Sequence, residues 1–321
     1  MLFSPMLLPG LMLQSRCWIQ RAPTLSMMAE GGPPQIDWQD GLIVSNDVLA
    51  RGTNQMRIKA SLAVDYKPGH ILGFELAHPE TGEGLKGPYT VTRSSSDEFD
   101  VIYRVIPDGR KTPFMEKLAE GDAVRFGGRF GTPVADGIAS ECDRVIGVAT
   151  GAGLGPLVGY AESALSDADG PSVELYCGFR DLQDVCSGAA VEALQQQYPD
   201  RFKWTPIISK PMACTAVGLA GMATDVSSAS ADLQEVAPSF AQGRVSSAVP
   251  GMLGEVSGTT HFHLVGNGQF IVDFQAGLLA AGVSEERVTT EKYFNGKAEA
   301  DEAVVNFIAE AIGKRMAQAA S

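Results

Sequence analysis

From about Gly41 to Thr132 the apolar residues come in short runs, divided by Gly, Pro and Asp, with little helical spacing. The runs Leu42–Val44, Met56–Ala60, His70–Leu76, Tyr89–Arg93, Asp100–Val105 and Ala123–Phe126 read as strands. Their tight spacing predicts an antiparallel barrel, interrupted by one short helix at about Pro113–Leu118. Past Cys142 the pattern changes. Arg144–Ala149 is continuously apolar, as in a strand covered on both faces, and leads through a glycine turn into a helix at about Pro156–Leu165. Strand Val173–Cys177, helix Val185–Gln197, strands Lys203–Ile208 and His261–Val265, helix Phe270–Ala281 and strand Arg287–Glu291 follow. That alternation predicts a parallel sheet of βαβ units. Residues 211–258, rich in Ala, Ser and Gly, exceed an ordinary loop and are expected to hold some helix. Ala298–Ala320 carries an apolar stripe of Val304, Ile308, Ala311 and Ile312 and reads as a packing helix. The expected division is 1–35 leader and linker, 36–140 barrel, and 141–321 α/β domain with its C-terminal helix.

Composition narrows the chemistry. The 321 residues carry a net charge of −13, which repels phosphate backbones, so nucleic acid is not an expected partner. No apolar run reaches the roughly 18–20 residues of a transmembrane segment. The five cysteines include no Cys-x-x-Cys pair, so no thiolate zinc or iron–sulfur cage is expected, and the compartment reads as reducing. An electron carrier would then be an organic cofactor or a separate protein. His261 and His263 share a strand face, but with no nearby ligand set they read as sheet histidines and no metal is expected. The first 29 residues contain Arg16 and Arg21 but no acid, as in an organellar transit peptide; a disordered tail or a secretory signal is the alternative.

The glycine turn Thr150-Gly151-Ala152-Gly153-Leu154-Gly155-Pro156 follows a buried strand and opens a helix. Glycines there permit close backbone approach, free N–H groups face an anion, and Pro156 suits a first helical turn. The spacing departs from G-x-G-x-x-G, and the next strand ends on Arg180 rather than an acid, which disfavours a common Rossmann dehydrogenase. Alone, such a run also fits an ordinary tight turn.

Further motifs stand in order around it: Pro88-Tyr89-Thr90, Gly109-Arg110-Lys111-Thr112, Tyr176-Cys177-Gly178-Phe179-Arg180, Val265-Gly266-Asn267 and Glu291-Lys292-Tyr293-Phe294. Over roughly residues 40–295 the chain resembles the ferredoxin–NADP reductase superfamily, most nearly the small FAD/NAD(P)-binding oxidoreductase-like proteins of plastids. The resemblance implies an antiparallel β-barrel flavin domain followed by an α/β parallel-sheet NAD(P)-binding domain. It implies FAD, NADP(H) or NAD(H), and a plastid address, with the mitochondrion as alternative.

Site residues carry over by motif. Tyr89 would lie beside the flavin, and Thr90 near its N5; a barrel-core tyrosine is the alternative for Tyr89. The family's pyrophosphate arginine is replaced by Gly87, and Arg93 is expected to share that face and to substitute in part. Gly109, Lys111 and Thr112, with the N–H groups of Thr112, Phe114 and Met115, would hold the flavin pyrophosphate, or Thr112 is a plain N-cap. Thr150, Gly151, Gly153, Gly155 and Pro156 would cradle the nicotinamide nucleotide, bordered by Gly178, Arg180, Gly266 and Asn267. Ser209 and Lys210 lean towards NADPH through its 2′-phosphate. Glu291 and Tyr293 would support flavin N5 and cover the ring's outer face, unless Tyr293 is a core side chain.

The expected activity is hydride transfer from NAD(P)H to flavin N5, then electron transfer to an unidentified acceptor. Ferredoxin is disfavoured as that acceptor by the chain's own acidity. The rivals are a non-catalytic nucleotide-binding module of a larger complex and an NADH-linked reductase of the cytochrome b5 type.

Overall fold

The computed structural model describes residues 36–78, 81–210, 240–293 and 298–320. The leader, Cys17, Cys214, Phe294 and most of the unassigned stretch, 211–239, lie outside the described residues.

Six strands close into the expected antiparallel barrel: β1 (Trp38–Ala50), β2 (Thr53–Ala60), β3 (Ile71–Ala77), β4 (Gly84–Ser94), β5 (Glu98–Arg104) and β6 (Ala123–Phe130), ordered β1-β2-β5-β4-β3-β6. Alternation sets the two faces. Met56 and Ile58 on β2, Leu72 and Phe74 on β3, and Phe99 and Val101 on β5 are fully buried in the interior. Strand β1 runs well past the expected Leu42–Val44, because polar Ser45-Asn46-Asp47 continue its ladder with β2. Side-chain apolarity alone could not reveal that extension. The short helix is a single turn, α1 (Thr112–Met115).

A second single turn, α2 (Val134–Gly137), leads to a sheet of six parallel strands: β7 (Arg144–Thr150), β8 (Ser172–Phe179), β9 (Phe202–Ile208), β10 (Ala241–Gln242), β11 (Thr260–Asn267) and β12 (Val288–Tyr293). Their order is β10-β9-β8-β7-β11-β12. Helices α3 (Leu154–Ser166) and α4 (Gly188–Gln197) cover one face over Val145, Ala149, Leu175 and Cys177. Helices α5 (Val245–Met252), α6 (Gly268–Ala280) and α7 (Glu302–Ala319) cover the other over Ile146, Val148, Phe262 and Leu264. Helix α5 supplies the helix expected within 211–258. Helix α7 starts later than Ala298 because the Asp301 side chain accepts from Ala303 N and Val304 N and caps it there.

The two parts meet along α3 and β4. At Gly159 a Cβ would stand 1.7 Å from the Thr92 carbonyl oxygen, and at Gly155 it would stand 2.5 Å from Thr92 Cγ2. At Gly159 the helix and strand backbones therefore touch with no side chain between them. Two charged clamps flank the contact. Arg93 donates to both carboxylate oxygens of Glu162 on α3 at 2.6 and 2.5 Å, and Arg51, at the β1–β2 turn, reaches Asp181 at 2.5 Å and Asp184 at 2.9 Å.

Gly159→Ala is expected to force α3 off β4 and to destabilise the protein by about 3 kcal/mol, the upper range for an overpacked interior. Thermal denaturation measures the loss; an unchanged melting temperature would contradict the backbone contact.

Candidate active site at the barrel–sheet seam

In the sheet, chain order runs outward from β7 through β8 and β9 on one side and through β11 and β12 on the other, so the winding reverses between β7 and β11. Open α/β sheets bind ligands at the carboxyl ends of the strands at such a reversal. Here those ends are Thr150, closing β7 and followed by the glycine turn, and Gly266-Asn267, closing β11. Gly151 has φ +56° with open space at its Cβ position, so its backbone is free for close approach. Gly153 and Gly155 serve packing instead, against the Val265 carbonyl and Thr92. Pro156 is buried within the first turn of α3. Asn267 caps α6 through Phe270 N, and its own N–H donates to Thr150 Oγ1 at 3.3 Å, tying the two strand ends together.

At the same edge the barrel reaches the sheet. The Thr90 hydroxyl of β4 lies 2.5 Å from Glu291 Oε1 of β12, across 201 residues of sequence. The Tyr293 hydroxyl bonds the same carboxyl group, and its ring packs on the margin of the α3-side core. Withdrawal from water raises the Glu291 carboxyl to about 7, against smaller opposing effects of the bonds from Thr90 and Tyr293. Thr90, Glu291 and Tyr293, expected to act together, are thus brought together.

On the barrel side several expectations change. Tyr89 and Thr90 point to opposite faces. The Tyr89 ring packs edge-on to Phe74 and Tyr103, at 5.1 and 6.3 Å between centroids, in the barrel-core position. Arg93 does not share the face of position 87. A bulge intervenes, with Val91 opposite Val101 but Arg93 opposite Asp100, and this turns Arg93 to the outer face where Glu162 holds it. Arg93 is therefore a domain clamp rather than a substitute for the missing arginine. Most of the N–H cradle at α1 is also spent: Phe114 N and Met115 N both donate to the Lys111 carbonyl, and the Thr112 hydroxyl accepts from Ile106 N at 2.8 Å. A one-turn helix closes on its own first carbonyl. Gly109 sits in the preceding turn, its N–H bonded to the Ile106 carbonyl. Lys111 is the member of that motif that points inward, its Nζ 4.7 Å from the Tyr89 ring centroid.

Towards the far end of the edge, Gly178 packs against Val245, where a Cβ would be 2.9 Å from Cγ1. Ser209 N and Lys210 N donate to the carbonyls of Phe179 and Arg180, so Arg180 and Lys210 stand side by side at the ends of β8 and β9, both exposed. Elsewhere, Ala139 N donates to His261 Nδ1, so His261 carries its proton on Nε2 and gives it to Thr289 Oγ1 at 2.8 Å. Thr289 in turn lies 2.7 Å from His263 Nδ1, leaving the buried His263 Nε2 without a partner. Burial holds these histidines down at about 4 and about 3. Among the described residues no group of three His, Cys, Asp or Glu could hold a metal ion, and no helix is long and apolar enough to cross a membrane. The buried thiols of Cys177 and Cys186 are pushed up by desolvation and face the Gly151 carbonyl.

Residues 148–218 match the model of the oxidoreductase NAD-binding domain. Among solved structures, a ferredoxin NADP+ reductase from Neisseria gonorrhoeae with bound FAD and NADP superposes with a TM-score of 0.64, at 15% identity, over 80% of this chain and 99% of that one. The chain has the two-domain fold of that ferredoxin NADP+ reductase. An Amycolatopsis cytochrome P450 reductase shares this reductase fold at a TM-score of 0.61 and 20% identity, over 83% of this chain and 73% of that one. So do the CS-b5R domains of human Ncb5or in their NAD+ form, at 0.65 and 17%, over 80% and 70%. The reductase subunit of an aromatic O-demethylase from Amycolatopsis sp. is 26% identical over 168 residues, 50% of this chain and 48% of that protein, so the match spans about half the length of this curated relative.

The Glu291 carboxyl has a signed consequence for stability. Between its ordinary 4.5 and about 7 the unfolded chain has released this proton while the folded chain retains it, so the group lowers stability as pH rises through that window. Glu291→Gln removes the effect. Its melting temperature is expected to gain on the wild type from pH 5 to pH 8, and parallel melting curves at both pH values would refute the burial of this charge.

Proposed function

We propose that this protein is a flavin-dependent NAD(P)H oxidoreductase that holds FAD at the barrel–sheet seam and passes electrons to an acceptor still to be identified. The observation that carries the reading is the meeting of Thr90 with Glu291 and Tyr293 at the edge where the sheet's winding reverses. The residues suit a ring bearing a diphosphate: the Tyr293 ring, a hydroxyl and a carboxyl facing each other, and on the barrel side an inward amine. FAD bound there supplies the acceptance of hydride from a nicotinamide and its release as single electrons. The protein's part is positioning. Thr90 donates a hydrogen bond to Glu291 where the two domains touch, and the Glu291 carboxyl, raised to about 7, can hold or release a proton there near pH 7. Tyr293 shields that point from water. The glycine turn and Asn267 present backbone to a nucleotide diphosphate.

Arg180 and Lys210 together favour NADPH, because two exposed cations at adjacent strand ends suit a 2′-phosphate. The net charge of −13 argues against ferredoxin as acceptor. A plastid address, with the mitochondrion as alternative, belongs to the same proposal and rests on the acid-free composition of residues 1–29 together with the resemblance.

Reconstituted with FAD, the protein is expected to show flavin absorbance that NADPH bleaches under anaerobic conditions. Tyr293→Ala should slow the bleaching about 100-fold, as loss of reactant positioning does. Lys210→Ala should raise KM for NADPH about tenfold while leaving NADH unchanged, the size of one charge-assisted contact. Protein that takes up FAD but stays yellow with either nucleotide would be the non-catalytic module, which the missing arginine at Gly87 favours.

A further inference from the structure

Lys111 is an unusual lysine. Its stem enters the barrel wall and its Nζ donates to the Phe74 carbonyl at 2.9 Å, with the Tyr89 and Phe74 ring centroids at 4.7 and 5.7 Å. A Cβ on Gly87 would lie 3.5 Å from Nζ and 3.7 Å from Cδ. The amine therefore sits directly over the bare backbone of Gly87, in space that a long side chain at that position would need. A long side chain at position 87 and the Lys111 amine would compete for the same space.

The amine also lacks a countercharge. From β3 the nearest acid is Glu75, already bonded to Lys86 of β4 at 3.2 Å and to Arg125 of β6 at 3.1 Å. Tyr89 of β4 and, behind it, Tyr103 of β5 offer rings whose hydroxyls burial keeps protonated. The neighbouring Arg110 turns outward to Glu83. A partly desolvated ammonium with only a carbonyl and two ring faces is a standing cost, offset when an anion arrives.

We propose that Lys111 is the cation that captures the diphosphate of FAD, standing in the space that Gly87 leaves empty. The inference rests on the flavin reading above and deepens it. Two other sources of positive charge are taken up in the structure: Arg93 is held by Glu162, and the N–H groups of Phe114 and Met115 donate to the Lys111 carbonyl. What is left over Gly87 is one primary amine. Because burial lowers that amine to about 7, with Glu75 opposing, it is largely neutral in the free protein at pH 8. A diphosphate beside it restores the charge, so binding of FAD takes up a proton from solvent. Above about 7 the affinity then falls with rising pH, by up to about tenfold per unit, and below it the affinity is flat.

The test uses the full chain and FAD itself. Flavin fluorescence titration gives Kd, and calorimetry at pH 8 in two buffers of different ionisation enthalpy gives the protons exchanged. The wild type should bind FAD with uptake approaching one proton. Lys111→Met, which keeps the stem and its packing, should weaken FAD at least tenfold and abolish the uptake. Lys111→Arg should keep the affinity without the uptake, and Gly87→Arg combined with Lys111→Met should recover affinity lost in the single variant. Equal affinity in wild type and Lys111→Met, equal loss in the Met and Arg variants, or no proton uptake by the wild type would each overturn the assignment to Lys111 while leaving the flavin reading intact. A wild type that binds no FAD at any pH would overturn both.

Discussion

Everything at the seam depends on α3 lying directly on β4. Gly155 and Gly159 bring the helix so close that the Thr92 carbonyl occupies the volume of a methyl group. This contact fixes how far β4 stands from the sheet, and Thr90 is only two residues along the same strand. The hydroxyl can meet Glu291 because the backbone spacing is already set. Arg93 with Glu162, and Arg51 with Asp181 and Asp184, pin the orientation on either side. Such partly exposed ion pairs add modest energy, but several at one boundary restrict rotation of one domain on the other.

Electrostatics at the seam follow from that closeness. Bringing two domains into backbone contact strips water from whatever lies between them, and the groups stripped are those with chemistry to offer. Glu291 is pushed up towards neutrality by loss of water despite two hydrogen bonds, while Lys111 is pushed down by burial within the barrel wall itself. The contrast with Arg93 is instructive. Its guanidinium found a carboxylate on the facing helix and holds its charge more firmly, whereas Lys111 found only a carbonyl and two rings. Perturbed groups without a partner mark places where a ligand completes the structure.

The elements were largely legible from patterning: the barrel strands, the switch to buried parallel strands at Arg144, and the helices behind the glycine turn. Thr90, Glu291 and Tyr293 were legible too, because their motifs stand in order along the chain. Arg93 was misread for a definable reason. Strand alternation presumes regular pairing, and the bulge between Val91 and Arg93 reverses the faces without leaving a mark in residue type. The N–H cradle at α1 fell short because Met115 N makes the ordinary first helical bond to the Lys111 carbonyl and the tight single turn draws Phe114 N to the same oxygen.

The residues by themselves determined the two-domain architecture and the glycine turn, since hydrophobic period and local turn chemistry act over a few neighbouring positions; the members of the seam were pointed to only by the resemblance their motifs carry. Only the tertiary structure decided which charges are satisfied. Arg51 and Asp184 are 133 residues apart, Thr90 and Glu291 are 201 apart, and Lys111 meets Gly87 across a barrel wall. Ion pairing and desolvation depend on distances of a few ångströms in space, and local sequence does not specify those distances between residues so far apart along the chain.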